Sequence, residues 1–188
     1  MSLIENTAPA EEPVTRAEAA LWMRYTGTAQ NDVIDSLITA ARRYVEAWTG
    51  RTLVTTTWDF YTNQLCDSIN LPTGNAIAIS SITYEDLDDA TQTLSSTLYE
   101  LDNKSVINTV YRIPNQTYPT VLDKPNSVKI TFTAGYGAAS AVPEDIKTAI
   151  KMMVATCFEN RETHIMDNLK ENPAIKALLQ IDAKYQGW

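Results

Sequence analysis

From Asn31 to Gly50 the apolar residues Ile34, Leu37, Ile38, Ala41, Tyr44, Val45 and Trp48 recur at steps of three and four. At 3.6 residues per turn this spacing lays them along one stripe, which predicts an amphipathic helix over 31–49. Asn31 or Asp32 offers a first-turn cap, and Gly50 a left-handed stop. The stripe carries two aromatic residues and is followed by chain that reads mostly as strand. It therefore predicts a helix on which a small sheet packs. Upstream, Thr15-Arg-Ala-Glu18 has the form of a capping box, in which hydroxyl and carboxylate satisfy each other's backbone donors. It opens a helix over 16–25. Residues 1–13, polar and acidic with two prolines, read as a flexible tail.

After Gly50 the period changes from helical to alternating. Val54, Thr56, Trp58, Phe60 and Thr62 share one face of a predicted half-buried strand. Between Ile77 and Glu85 the apolar parity switches from Ile77 and Ile79 to Ile82 and Tyr84, which places a bend or bulge near Ser80 and Ser81. Residues 86–92 form an acidic turn. Further strands fall near 98–101 and 106–113. The clearest runs over 127–134, with Val128, Ile130, Phe132 and Ala134 inward and Lys129, Thr131 and Thr133 outward. The short connections favour an antiparallel meander, because parallel crossovers need about a dozen residues or more. Helical spacing returns at Pro143, with Glu144 and Asp145 placed to complement the positive end of a helix over 143–161. A polar gap then leads to Asn172-Pro173, which starts a last helix, so that 163–188 read as a C-terminal loop and helix. Helices, then a block of strands (52–134), then helices make an α+β chain rather than alternating βαβ.

At 188 residues the chain suits one domain that can bury a core without disulfides or metals. No apolar run approaches a membrane span, and the first residues lack an export signal. Cys66 and Cys157 are then expected to be reduced and buried. The net charge of −8 is unevenly spread. From Thr52 through Asn103 there is no Lys or Arg, while Asp59, Asp67, Glu85, Asp86, Asp88, Asp89, Glu100 and Asp102 all lie there. Nucleic-acid binding relies on Lys and Arg neutralising phosphates, so such a surface should repel it. The plainer reading is a solvated acidic face that aids solubility.

Catalytic chemistry finds little to work with. His164, the single histidine, sits in the polar gap between helices, a poor place to hold a base against a nucleophile. One histidine and two distant cysteines do not make a zinc site, and Asp86, Asp88 and Asp89 lack the glycine and distal glutamate of a calcium loop. Gly135-Tyr-Gly137 lies between strand and helix but has neither the third glycine of a dinucleotide turn nor the Gly-Lys-Ser/Thr of a P-loop. No catalytic residue, cofactor or metal ligand is assigned.

Four stretches read together resemble a known family. They are Pro13-Val-Thr-Arg-Ala-Glu18, the helix LITAARRYVEAWTGRTLVTTTW, the strand and turn VKITFTAGYG, and VPEDIKTAIKMMVATCFENRE. Their order and spacing are similar to those of the head–tail connector (adaptor, head-completion) proteins of tailed bacteriophages and gene-transfer particles. The resemblance spans about 13–162. It implies a connector domain over 14–162: a helical bundle of about four helices, with a small antiparallel β-sheet inserted between the second and third. It also implies a non-enzymatic virion subunit, made in the bacterial cytoplasm and carried at the particle neck. There it would form a ring, twelve-fold in the family, on the portal protein, extend the DNA channel and offer a docking surface to a neck or tail completion protein. Expected partners are copies of itself, portal, that neck protein, and passing DNA held without specific contacts; no membrane is involved. Heterologous contacts suit such a ring. Glu85, Asp86, Asp88 and Asp89 are then expected to face the channel. Tyr185 and Trp188, large amphipathic residues at a terminus, are the expected portal anchors. The alternatives are another neck or tail-completion part with the same plan, or a small α+β hydrolase or ligand-binding domain with perturbed acids in a pocket.

Overall fold

The computed structural model describes residues 2–105, 107–160 and 173–183. The chain divides into two compact units, one made of residues up to Pro9 with Thr55–Gly135, the other of Ala10–Val54 with the chain from Tyr136 onward.

The first unit is all β. Its strands are β1 (Ser2–Thr7), β2 (Thr56–Thr62), β3 (Ser68–Asn70), β4 (Ala76–Glu85), β5 (Thr91–Thr93), β6 (Tyr99–Asp102), β7 (Thr109–Arg112) and β8 (Val128–Ala134). They form a five-stranded sheet in the order β1-β2-β8-β4-β5 and a three-stranded sheet in the order β3-β7-β6, with every pairing antiparallel. β8 lies at the centre of the larger sheet, and its predicted alternation holds: Val128, Ile130, Phe132 and Ala134 are buried while Lys129, Thr131 and Thr133 are less so. These side chains join Phe60 of β2 and Ile82 of β4 in one core, to which the smaller sheet contributes Ile69 and Val110. The register of β4 against β8 shifts between Ile79 and Ser81, where the change of parity pointed, and again between Ala76 and Ala78. Each shift adds a residue and turns the inward face over.

The second unit holds the helices α1 (Arg16–Trp22), α2 (Asn31–Thr49), α3 (Glu144–Glu159) and α4 (Pro173–Ala183). α2 packs on α1, α3 and α4. Ile34, Ile38, Ala41 and Val45 of its stripe meet Ile146, Ala149, Ile150 and Val154 of α3. Tyr44 turns outward, and Arg42 takes a buried place on the helix. The capping box of Thr15 and Glu18 is formed. Gly50 ends α2 in the left-handed region at φ 66°, its N–H donating to Glu46 O. Gln30 precedes the helix without a side-chain cap, so neither Asn31 nor Asp32 plays that part.

The helical bundle with an inserted small sheet is therefore corrected. Among the described residues there are four α-helices, one of only seven residues, and two antiparallel sheets of eight strands with a core of their own. The physical reason lies in how the sheets are covered. The larger sheet buries its apolar face with Ile69 and Val110 of the smaller one, while the stripe of α2 is filled by other helices. A second correction concerns the start of the chain, where the expected flexible tail contains β1. Leu3 packs on the β core, and Asn6, at a register shift opposite β2, donates from Nδ2 to Asp59 Oδ2 at 2.8 Å. The cysteines also differ from expectation, since Cys66 is partly buried and Cys157 exposed.

Candidate functional site

The acidic segment looks different in space than along the chain. Asp59 is buried on β2, where Asn6 and Thr131 Oγ1 both donate to its carboxylate, the latter at 2.6 Å. Asp67 takes Nε of Arg112 at 2.7 Å, and that hydrogen bond holds its carboxyl below the usual range. Asp102 caps its own turn, accepting from Ser105 Oγ and from the N–H groups of Lys104 and Ser105, and is likewise lowered, chiefly by the Ser105 hydroxyl. Arg112 and Lys124 both come from beyond the base-free stretch. Strand pairing carries Arg112 to Asp67, and the loop before β8 carries Lys124 to the β4–β5 hairpin. Sequence separation concealed both; the strand orders are not the expected antiparallel meander, since β8 pairs with β2 and β4 and β7 with β3, so partners arrive from tens of positions away.

That hairpin carries the four acids expected to face a channel. The Lys124 ammonium lies 2.5 Å from Glu85 Oε2 and 2.8 Å from Asp89 Oδ1. Asp89, next to it, has φ 60°, a left-handed conformation that Asp tolerates in turns. Asp86 organises the turn: Oδ1 accepts from the N–H groups of Asp88 and Ala90, each at 3.0 Å, and Oδ2 from Gln92 Nε2 at 2.8 Å. Its carboxyl is lowered first by the Gln92 amide and then by those backbone donors. Three of the four acids thus build and brace the tip. Asp88 is exposed, and so is Leu87, at 66%.

In the helical unit, Arg42 donates from Nε to Glu12 Oε2 at 2.8 Å and from Nη1 to Glu46 Oε2 at 2.7 Å. Burial opposes the charge on Arg42, but Glu46 and Glu12 outweigh it and raise its pKa. The end of α1 behaves differently. Only Ala19 of this helix is buried, leaving Leu21 and Trp22 at the surface at 81% and 48% exposure. Lys151 Nζ stands 5.5 Å from the centre of the Trp22 ring, within cation–π range.

The concavities within each unit are open and polar-rimmed. One in the β unit is lined by Thr62, Asn63, Gln64, Leu65, Pro119, Val121 and Asp123, and one in the helical unit by residues that include Glu11, Glu12, Thr15, Arg16 and Asp35. In the second, Arg16 is paired with Asp35. Among the described residues no group of three or more His, Cys, Asp or Glu is placed to hold a metal ion, and no helix is long and apolar enough to cross a membrane. Tyr185 and Trp188, as well as His164, lie outside the described residues. Among the described large hydrophobic residues, Leu21 and Leu87 are the most exposed, at 81% and 66%, the first near a lysine at the end of α1 and the second with an acidic surround.

A family model described as head completion protein matches residues 14–164. The chain belongs to the head completion protein family. The matched stretch includes the capping box of α1, all of α2, the sheets other than β1, and α3. A search of curated proteins found no match. Among solved structures, the chain is similar to one in the neck of an empty GTA particle computed with C6 symmetry, with a TM-score of 0.81 and 21% identity over 97% of this chain and 95% of that one. It is similar to a chain in the virion of a native gene transfer agent particle, at TM-score 0.81 and 21% identity over 96% and 94%. A third, in the neck of a native GTA particle computed with C12 symmetry, gives 0.73 and 19% over 97% and 94%. At these identities the likeness establishes a shared fold, and it covers nearly all of the head completion chain.

Proposed function

We propose that this head completion protein is a structural head–tail connector subunit, carried in the neck of a tailed phage or phage-like particle. Copies would close into a ring of twelve on the portal, extend the DNA channel and present a surface to the next neck or tail protein. The observation that supports the reading is the family match over 14–164, joined to a fold shared over 97% of the chain with chains in GTA particle necks computed with C6 and C12 symmetry. The chain works in this reading by docking and not by catalysis, and the exposed apolar points on two separate units suit that.

The β unit holds ten acids against four Lys and Arg. We assign to this net charge the task of keeping passing DNA from adhering. The hairpin tip is the weaker candidate for the channel wall. Lys124 pairs with Glu85 and Asp89 there and offsets part of their charge. Tyr185 and Trp188 stay as the proposed portal anchors.

Native mass spectrometry of the full chain with and without purified portal tests the proposal. The expected result is a complex carrying twelve copies on the portal ring. A chain that ignores portal but binds tail-tube protein would instead be a later neck or tail part. A chain that binds neither would overturn the connector reading.

A further inference from the structure

Leu87 is an unusual residue for a hairpin tip whose only task is to stay in solution. The tip is also braced more firmly than solubility requires. Asp86 accepts three hydrogen bonds across it, and Lys124 bridges Glu85 and Asp89 on its two sides. The result is a preformed knob with an apolar point and an acidic surround that stays net negative with Lys124 counted. The helical unit carries a feature of opposite character. Leu21 and Trp22 project from the end of α1, with the exposed Arg24 just beyond and Lys151 over the indole ring. Apolar centre matches apolar centre, and the acids of the tip match Arg24 and Lys151, the latter also lying near Glu18.

A ring built from head-to-tail contacts needs two different, complementary patches on every copy. We infer that the Leu87 tip of one subunit seats on the Leu21–Trp22 patch of a second copy of this chain, with the acids of the tip facing Arg24 and Lys151. Trp and its neighbours at the centre of such a contact carry most of its strength, the charges set orientation and exclude wrong partners, and a tip already ordered loses little freedom on docking. This inference rests on the ring reading above.

The test uses the full chain, with Cys66→Ser and Cys157→Ser, assembled with portal. Subunits bearing Leu87→Cys are mixed with subunits of distinguishable mass bearing Leu21→Cys, and the rings are oxidised. A covalent heterodimer in the mixture, absent from either variant alone, is the expected result. Leu87→Asp should weaken subunit association by roughly tenfold or more while leaving the melting temperature of the isolated chain unchanged. Rings that form yet give no heterodimer, or that tolerate Leu87→Asp at wild-type affinity, overturn the contact and leave the connector reading standing. A disulfide or crosslink from Leu87→Cys to portal overturns it in favour of portal docking. A wild-type chain that forms no ring with portal defeats the connector reading and this inference with it.

Discussion

Arg42 is the most demanding test of the helical unit. Its side chain is only 6% exposed and ties three pieces of chain together. Glu12, in the segment ahead of α1, takes Nε and also accepts from Thr39 Oγ1. Glu46, one turn along α2, takes Nη1, and its other oxygen accepts the N–H of Leu53 at 3.0 Å, where the chain leaves the helix. Replacing Arg42 by Met keeps much of the volume but leaves two carboxylates aimed at one uncharged point. Breaking a buried ion pair costs about 3–5 kcal/mol. Glu12 and Glu46 are 30% and 14% exposed, so solvent relieves part of this. The expected loss for Arg42→Met is about 3 kcal/mol. Neutralising all three groups together, as Arg42→Met with Glu12→Gln and Glu46→Gln, keeps the acceptors for Thr39 and Leu53 and removes the stranded charge. That variant should lie within about 1 kcal/mol of wild type.

Urea unfolding followed by circular dichroism at 222 nm reads this unit selectively, because every described helix belongs to it. With a slope of about 1–3 kcal/mol/M, a 3 kcal/mol loss moves the midpoint by about 1–3 M. A single variant losing under about 1 kcal/mol would refute the claim that the pair is coupled and desolvated. A triple variant as unstable as the single one would show that the packing of Arg42, and not stranded acid charge, is what matters.

Three further outcomes are expected. Asn6→Ala removes one of two donors to the buried Asp59 and should destabilise the β unit by about 1–2 kcal/mol, seen as faster amide exchange along β2; unchanged exchange would mean β1 is not held there. Glu18 has a lowered pKa, first from the Thr15 hydroxyl and then from the Thr15 backbone N–H. A lowered folded-state pKa gives stability that is present above the ordinary value of 4.5 and lost as pH falls through the lower folded one. Thr15→Val should therefore be less stable at neutral pH and lose less on acidification, and parallel melting-temperature curves against pH would contradict this. Deleting residues 186–188 should weaken portal binding with little change in melting temperature, whereas an equal loss of both would place Trp188 in its own subunit's core.

The two corrections show where local information ran out. The helix over 31–49, the Thr15–Glu18 box, the Gly50 stop and the alternation of β8 were legible because each depends on residues within one or two turns, or on a period of two. The family resemblance rested on the same short stretches. Partners far along the chain were not legible. β1 has six residues and no strong pattern, and it becomes a strand only because β2, some fifty positions on, presents an edge and a buried Asp59 that Asn6 can reach. Residues of the smaller sheet join the core of the larger, so the strands became a unit with its own core. Arg112 and Lys124 meet the acids of a segment that has no base of its own.

The sequence by itself determined the long periodic elements, α2, α3 and β8 among them, and where net charge accumulates, since those follow from neighbouring side chains and simple counting. Only the tertiary structure decided which acids are spent bracing turns and which side chains, Leu21, Trp22 and Leu87 among them, are left facing outward. Burial and pairing are set by what the folded chain brings alongside, and periodicity carries no record of that.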